Sequence, residues 1–121
     1  MRHTIRGLVI KDKKILLVTG YGADFYWTPG GGVKAGETAE ETLRREINEE
    51  LGVDVLSMKP YKQYIYEGQH VENYLIQIKG KVKQGNEITS AKWYSSKSKT
   101  NTSKGFYNKV LPDLLKDNLI D

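Results

Sequence analysis

Three carboxylates crowded into one short stretch are the first chemical signal in this chain. Glu46, Glu49 and Glu50 stand among apolar residues that recur at helical spacing. On a wheel advancing about 100° per residue, Ala39, Leu43, Ile47 and Leu51 form one stripe. Glu50 falls inside that stripe, Glu46 on its border, and Glu49 about 60° beyond Glu46. Like charges one turn apart repel, and a carboxylate withdrawn from water loses hydration. A divalent cation would relieve both costs, because hard ions such as Mg²⁺ and Mn²⁺ take carboxylate and carbonyl oxygens. Ion pairing with Arg44, Arg45 or nearby lysines would relieve them too. From the helix alone the two readings are balanced.

The elements that must position these acids are legible around them. Thr38 and Glu41 form a Thr-x-x-Glu capping box, so a helix is predicted from about Ala39 to Leu51. Gly52 stands where a left-handed C-cap residue belongs. Upstream, Thr4–Ile10 and Ile15–Thr19 read as strands joined by the charged turn Lys11–Lys14. Phe25–Thr28 reads as a short strand, stopped by Pro29 and by Gly30, Gly31 and Gly32. Downstream, Lys62–Glu67, Val71–Val82 and Ala91–Tyr94 read as strands, with Gly68-Gln69-His70 turning between the first two. Phe106–Leu119 has helical spacing, and Pro112 predicts a break or a new helix start. Strands, helix, strands, helix imply a mixed sheet flanked by helices in one domain spanning 1–121.

Composition narrows the function. The 121 residues carry 19 basic and 15 acidic side chains, a net charge of +4. Between Lys34 and Asp54 there are seven acids against three bases, an acidic knot in a basic body. Such a knot suits a cation site that receives a polyanion, although on charge alone an ordinary solvated helix is the favoured reading. With no cysteine, disulfide frameworks, thiolate metal sites and cysteine nucleophiles are excluded. No apolar run approaches the roughly 20 residues that span a bilayer, and Met1–Thr4 lacks the apolar stretch of a signal peptide. The expected location is cytoplasmic.

Read together with the loop before it, the helix resembles a known family. Gly31, Glu37, Arg45, Glu46, Ile47, Glu49, Glu50, Gly52 and Val53 match every position of the Nudix box, with seven fixed residue types in register. Trp27-Thr28-Pro29-Gly30-Gly31 resembles the strand end that usually leads into the box. Asn86-Glu87-Ile88 before Lys92-Trp93 resembles a late segment in which an acid precedes a Trp-bearing strand. Ser90 and Lys34 depart from the acids that many relatives have at those positions.

The resemblance implies an α/β Nudix fold, a mixed sheet sandwiched between helices. It implies metal-dependent hydrolysis of a phosphoanhydride bond in a nucleoside-diphosphate-linked substrate, with Mg²⁺ or Mn²⁺ as cofactor. Glu46, Glu49 and Glu50, joined by the Gly30 carbonyl, would hold the metal. Glu37 and Arg45 would hold the loop against the helix and aim the carboxylates. Candidates for the base that deprotonates water are, in order, Glu49, Glu50, Glu87 and Glu72. Gly31 and Gly32 would let the backbone approach phosphate. One of Tyr21, Phe25, Tyr26 and Trp27 would stack on the nucleobase, although for each of them taken singly core packing is the favoured role. Among the lysines of Lys13, Lys14 and Lys97–Lys104, one or two would face the polyphosphate. Signatures of several subfamilies are missing, which leaves a nucleoside triphosphate, ordinary or modified, split to monophosphate and pyrophosphate. The alternatives are a non-catalytic nucleotide sensor and an RNA 5′ pyrophosphohydrolase. The pI of about 9.2 suits RNA, but no clustered basic-aromatic surface is evident, so RNA is not the expected partner. The resemblance also allows a homodimer.

Overall fold

The computed structural model describes residues 1–85 and 87–121. Strand β1 (Arg2–Lys11) turns back into β2 (Lys14–Gly20). Asp12 and Lys13 both take positive φ, at 52° and 62°. That two-residue turn matches the right-handed twist of the strands it joins.

β1 is the organising strand. Along one edge it runs parallel to β5 (Gln69–Lys79), from Arg2 with Gln69 to Val9 with Ile76. Its other edge is shared between two partners. The glycine strand β3 (Gly30–Gly32) takes Thr4 to Arg6, and β2 takes only Ile10 and Lys11. β4 (Asp54–Tyr66) and β6 (Ile88–Tyr94) complete a mixed sheet in the order β4-β5-β1-β2-β6, with β3 beside β1.

Both faces of the sheet are covered. Ile5 and Val9 of β1, with Leu16 and Val18 of β2, pack with Leu43, Ile47 and Leu51 of helix α1 (Ala39–Leu51). Leu8, Ile15 and Leu17 point the other way, onto Phe106, Val110, Leu111 and Leu114. This alternation is the period of a strand, and burial on both faces explains why β2 reads as a continuous apolar run. Gly7 lets α1 approach closely, since a Cβ there would lie 2.8 Å from Ile76 Cδ1 and 3.2 Å from Leu43 Cδ1. The predicted mixed sheet between helical layers is therefore observed. Among the described residues, no helix is long and apolar enough to cross a membrane.

Several boundaries differ from those the sequence suggested. Residues 25–28 form only single bridges, Trp27 with Val18 and Tyr26 with Thr102, and the strand proper lies on the three glycines. β4 begins at Asp54 rather than Lys62, because two register shifts carry the strand past Pro60. The turn before β5 is Glu67-Gly68, with φ of 48° and 74°, so Gln69 and His70 belong to the strand. Residues 80–82 lie beyond β5, which ends at Lys79. The C-terminal segment is a π-helical turn, Phe106–Val110, followed by α2 (Leu111–Lys116), with Pro112 in the first turn of α2. Asn86 lies outside the described residues.

Candidate active site

Helix α1 has the predicted bounds. Thr38 Oγ1 accepts from the Glu41 N–H, and Glu41 Oε1 accepts from the Thr38 N–H. Gly52 closes the helix with φ of 66°, its N–H donating to Asn48 O. The loop after β5 then ties down the last carbonyls, with Lys83 N–H on Leu51 O and Gly85 N–H on Glu50 O.

With both ends fixed, the carboxylates lie where the wheel placed them. Glu50 is buried, 4% exposed, among the apolar residues of the helix. The Gly30 N–H faces its Oε1 at 3.4 Å. Glu46 lies against Gly31, so close that a Cβ on Gly31 would come within 2.5 Å of Glu46 Oε1. Burial first, and then hydrogen bonding and charge repulsion from Glu46, push the Glu50 carboxyl well above the ordinary carboxylate range. Glu49 lies farther out, its side chain 41% exposed.

Arg45 links the loop to these acids. Its Nε donates to Glu37 Oε2 at 2.7 Å and its Nη2 to Glu37 Oε1 at 3.0 Å. Nη2 also meets Gly32 O at 3.3 Å, and Nη1 reaches Glu46 Oε1 at 2.8 Å and Glu49 Oε2 at 3.5 Å. Glu37 further accepts from Lys34 N–H and Thr42 Oγ1. Chiefly through Arg45, and then through Lys34, its carboxyl is lowered to about 2.

The donor set fits a hard divalent cation, because two facing carboxylates, one of them buried, share a site with no soft ligand. As the side chains stand, no three described His, Asp or Glu residues converge on one point. Glu46 and Glu50 are together, and Glu49 is held toward Arg45.

On the other side of β1 a cleft of about 690 Å³ opens. Phe25 and Trp27 line it, in edge contact at 5.6 Å. Tyr64 and Tyr66 line it from β4, residues 101–105 line it from the loop after β6, and Arg6 lines it from β1.

The predicted residues divide between these places. Phe25 and Trp27 reach the cleft, as does Lys104. Tyr21 does not line it. It is 65% exposed, and after burial the main influence on its phenol is the negative field of Glu50, Glu46, Glu87 and Glu49. Tyr26 is structural, donating to Ser90 Oγ at 2.9 Å beneath Lys92. Glu87 sits on a left-handed turn whose carbonyl accepts the Tyr21 N–H. Glu72 shares the α1 face of the sheet, but it is bonded to His3 and to Tyr74 Oη. His70 is stacked on His3 at 4.8 Å and hydrogen-bonded to Gln63, and neither ring lines the cleft.

Arg6, Tyr64 and Tyr66 were not anticipated. Arg6 did carry a signal, being a charged residue inside an otherwise apolar strand. The two tyrosines carried none, because alternating exposed and half-buried residues look the same whether they face a cleft or solvent.

Comparison with known proteins agrees with this architecture. A family model for the NUDIX domain matches residues 1–114. The chain belongs to the NUDIX domain family. It is 32% identical over 97 residues to the NAD-capped RNA hydrolase NudC of Pseudomonas aeruginosa, covering 73% of this chain and 34% of that protein. It is 46% identical over 39 residues to the 8-oxo-dGTP diphosphatase of Haemophilus influenzae, covering 32% of this chain and 29% of that protein. The match therefore spans about a third of the length of either curated relative. Among solved structures, a nudix hydrolase family member from Chromobacterium violaceum superposes with a TM-score of 0.84 at 23% identity, covering 96% of this chain and 77% of that one.

Proposed function

We propose that this protein is a metal-dependent hydrolase that splits a phosphoanhydride bond in a small nucleoside-diphosphate-linked substrate, most favourably a nucleoside triphosphate, ordinary or modified. The observation that carries this reading is the pairing of a buried Glu50 with Glu46, directly beside the glycine strand and one strand from an aromatic cleft. Glu46 and Glu50, with Glu49 swinging from Arg45, would hold Mg²⁺ or Mn²⁺. The bound cation would neutralise charge on the bridging and leaving oxygens, the main demand of phosphoryl transfer.

The chain's own residues supply the rest. Gly31 lets the Glu46 carboxylate come against the loop backbone, and Gly32 does the same for the Arg2 guanidinium, a cation that would face the phosphates. Glu37, gripped by Arg45, keeps the loop and Glu46 in register. Phe25 and Trp27 offer apolar ring surface to the base, and the cleft has the volume of a typical small-ligand site. Glu49, exposed and only loosely held, is the preferred carboxylate for taking a proton from water. Glu50 and then Glu87 follow it, and the field that Glu87 shares with Glu46, Glu49 and Glu50 at the Tyr21 phenol supports Glu87.

The names of the relatives support a pyrophosphate bond as the target, and they include an RNA-directed enzyme. The test is product analysis on a panel of ordinary and oxidised triphosphates, ADP-ribose, dinucleoside polyphosphates and 5′-triphosphorylated RNA, with and without Mg²⁺ or Mn²⁺. Monophosphate plus pyrophosphate from a triphosphate, only with metal, is the expected result. Selective turnover of the RNA would replace the small-nucleotide reading. Nucleotide binding without turnover of any substrate would point to a sensor.

A further inference from the structure

We propose that Arg6 selects the base in the aromatic cleft by donating to the O6 and N7 acceptors of a 6-oxopurine, so that guanine- and hypoxanthine-type nucleotides are preferred over adenine. This rests on the cleft being the nucleoside site of the reading above.

Arg6 is an anomaly of its strand. Residues 4, 5, 7, 8 and 9 are all buried, and an arginine stands among them. Register explains which way it faces. Ile5 and Gly7 point at α1, so Arg6 shares the opposite face with Thr4 and Leu8. There it lines the cleft.

A guanidinium has five N–H donors and no acceptor. Among the described residues, Arg6 makes one hydrogen bond, from Nη1 to Thr28 O at 2.9 Å, and no ion pair. The bond to Thr28 fixes one arm of the fork, leaving the remaining donors for whatever occupies the cleft. Arg6 is half-buried, and among the described residues only Asn73 Oδ1 is both sealed from water and unpartnered, so the free Arg6 donors stay open to a ligand that supplies acceptors.

The rings of Phe25, Trp27, Tyr64 and Tyr66 are indifferent to base identity, because every base has a π-face. Discrimination must come from polar groups. A planar two-armed donor matches two adjacent acceptors, and in purines that edge is O6 with N7. Adenine places an amino group where O6 would be, so two donors would meet.

The experiment measures binding of IMP and AMP, whose purines differ at C6 and in the proton on N1 but share N7, by calorimetry without metal. Wild type is compared with Arg6→Lys, which keeps the charge but loses the fork, and with Arg6→Met, which keeps the length. Circular dichroism melts confirm folding, and Arg6→Lys alone suffices if Arg6→Met does not fold. The expected result is IMP bound at least about tenfold more tightly than AMP by wild type, with the ratio collapsing toward one in the variants through loss of IMP affinity. A wild-type ratio near one, no binding of either nucleotide, or equal losses for both in the variants overturns the inference. Equal losses would make Arg6 a phosphate contact instead. Hydrolysis is not needed for this readout. A chain that discriminates IMP from AMP yet cleaves nothing contradicts the hydrolase reading alone, and one that cleaves without discriminating contradicts this inference alone.

Discussion

Arg45 grips both carboxylate oxygens of Glu37, at 2.7 and 3.0 Å, and turns its third nitrogen to Glu46 at 2.8 Å. One planar side chain therefore sets the position of the loop and of a proposed metal ligand together. Lysine cannot reproduce this, since an ammonium is a point charge without a fork. Arg45→Lys is expected to lower kcat about 10- to 100-fold. Because the lesion is one of aim rather than of substrate contact, KM should change little. Steady-state kinetics on the best substrate of the panel checks this split.

The same pair has a pH signature. The Glu37 carboxyl is lowered to about 2 in the folded chain, below its ordinary value of roughly 4.3. A depressed folded value means that the contribution is full above the unfolded value and is lost as pH falls through the folded one. The stability gap between wild type and Glu37→Gln should therefore be constant above about pH 5 and shrink between about pH 4 and pH 2. Urea midpoints across that range measure it. A gap that does not narrow on acidification would show that Arg45 does not hold an ionised Glu37.

Glu50 has the opposite sign. Burial and Glu46 raise its carboxyl, so the folded state holds a proton that the unfolded state has released at neutral pH. Stability is then greatest below the ordinary carboxylate range and declines as pH rises toward the raised value. Without metal, Glu50→Gln removes that decline, so its melting temperature should gain on wild type as pH rises from about 5 to 8. In wild type, added Mg²⁺ should restore stability most at the alkaline end, because metal and proton compete for the same oxygens. Differential scanning fluorimetry with chelator and with Mg²⁺ reads both effects.

Gly31 tests the closeness of loop and helix. A Cβ there would meet the Glu46 carboxylate at 2.5 Å, and the end of a side chain moves more easily than backbone. Gly31→Ala should therefore fold with a loss of no more than about 1 kcal/mol, yet displace Glu46 and weaken Mn²⁺ binding about tenfold or more. Manganese titration by electron paramagnetic resonance, beside a urea melt, separates the two effects.

The sequence was most informative where local chemistry decides the structure. Thr38, Glu41 and Gly52 bound α1 by capping alone, and the helical period put Glu50 in the apolar stripe before any tertiary contact was known. It was least informative where pairing across the sheet decides. Three glycines have no intrinsic preference for a strand, and β3 exists because Thr4, Ile5 and Arg6 offer it an edge. Asp54 to Tyr61 mix apolar and polar residues without strict alternation and contain Pro60, and only register with β5 makes them a strand. The site was legible in the same measure. The acids and the Glu37–Arg45 clamp lie within one local motif, whereas the cleft joins β1, β4 and residues 101–105, which meet only in the folded sheet.

The most direct test of the central claim is nucleotide turnover by wild type and Glu50→Gln, with Mg²⁺ present or chelated. Glutamine keeps the shape and removes the charge. Wild type should release phosphate-containing products only with Mg²⁺, and the variant, folded as judged by circular dichroism, should lose at least about a hundredfold in kcat. A folded Glu50→Gln that keeps its Mg²⁺-dependent turnover would contradict the assignment of the buried carboxylate to the metal.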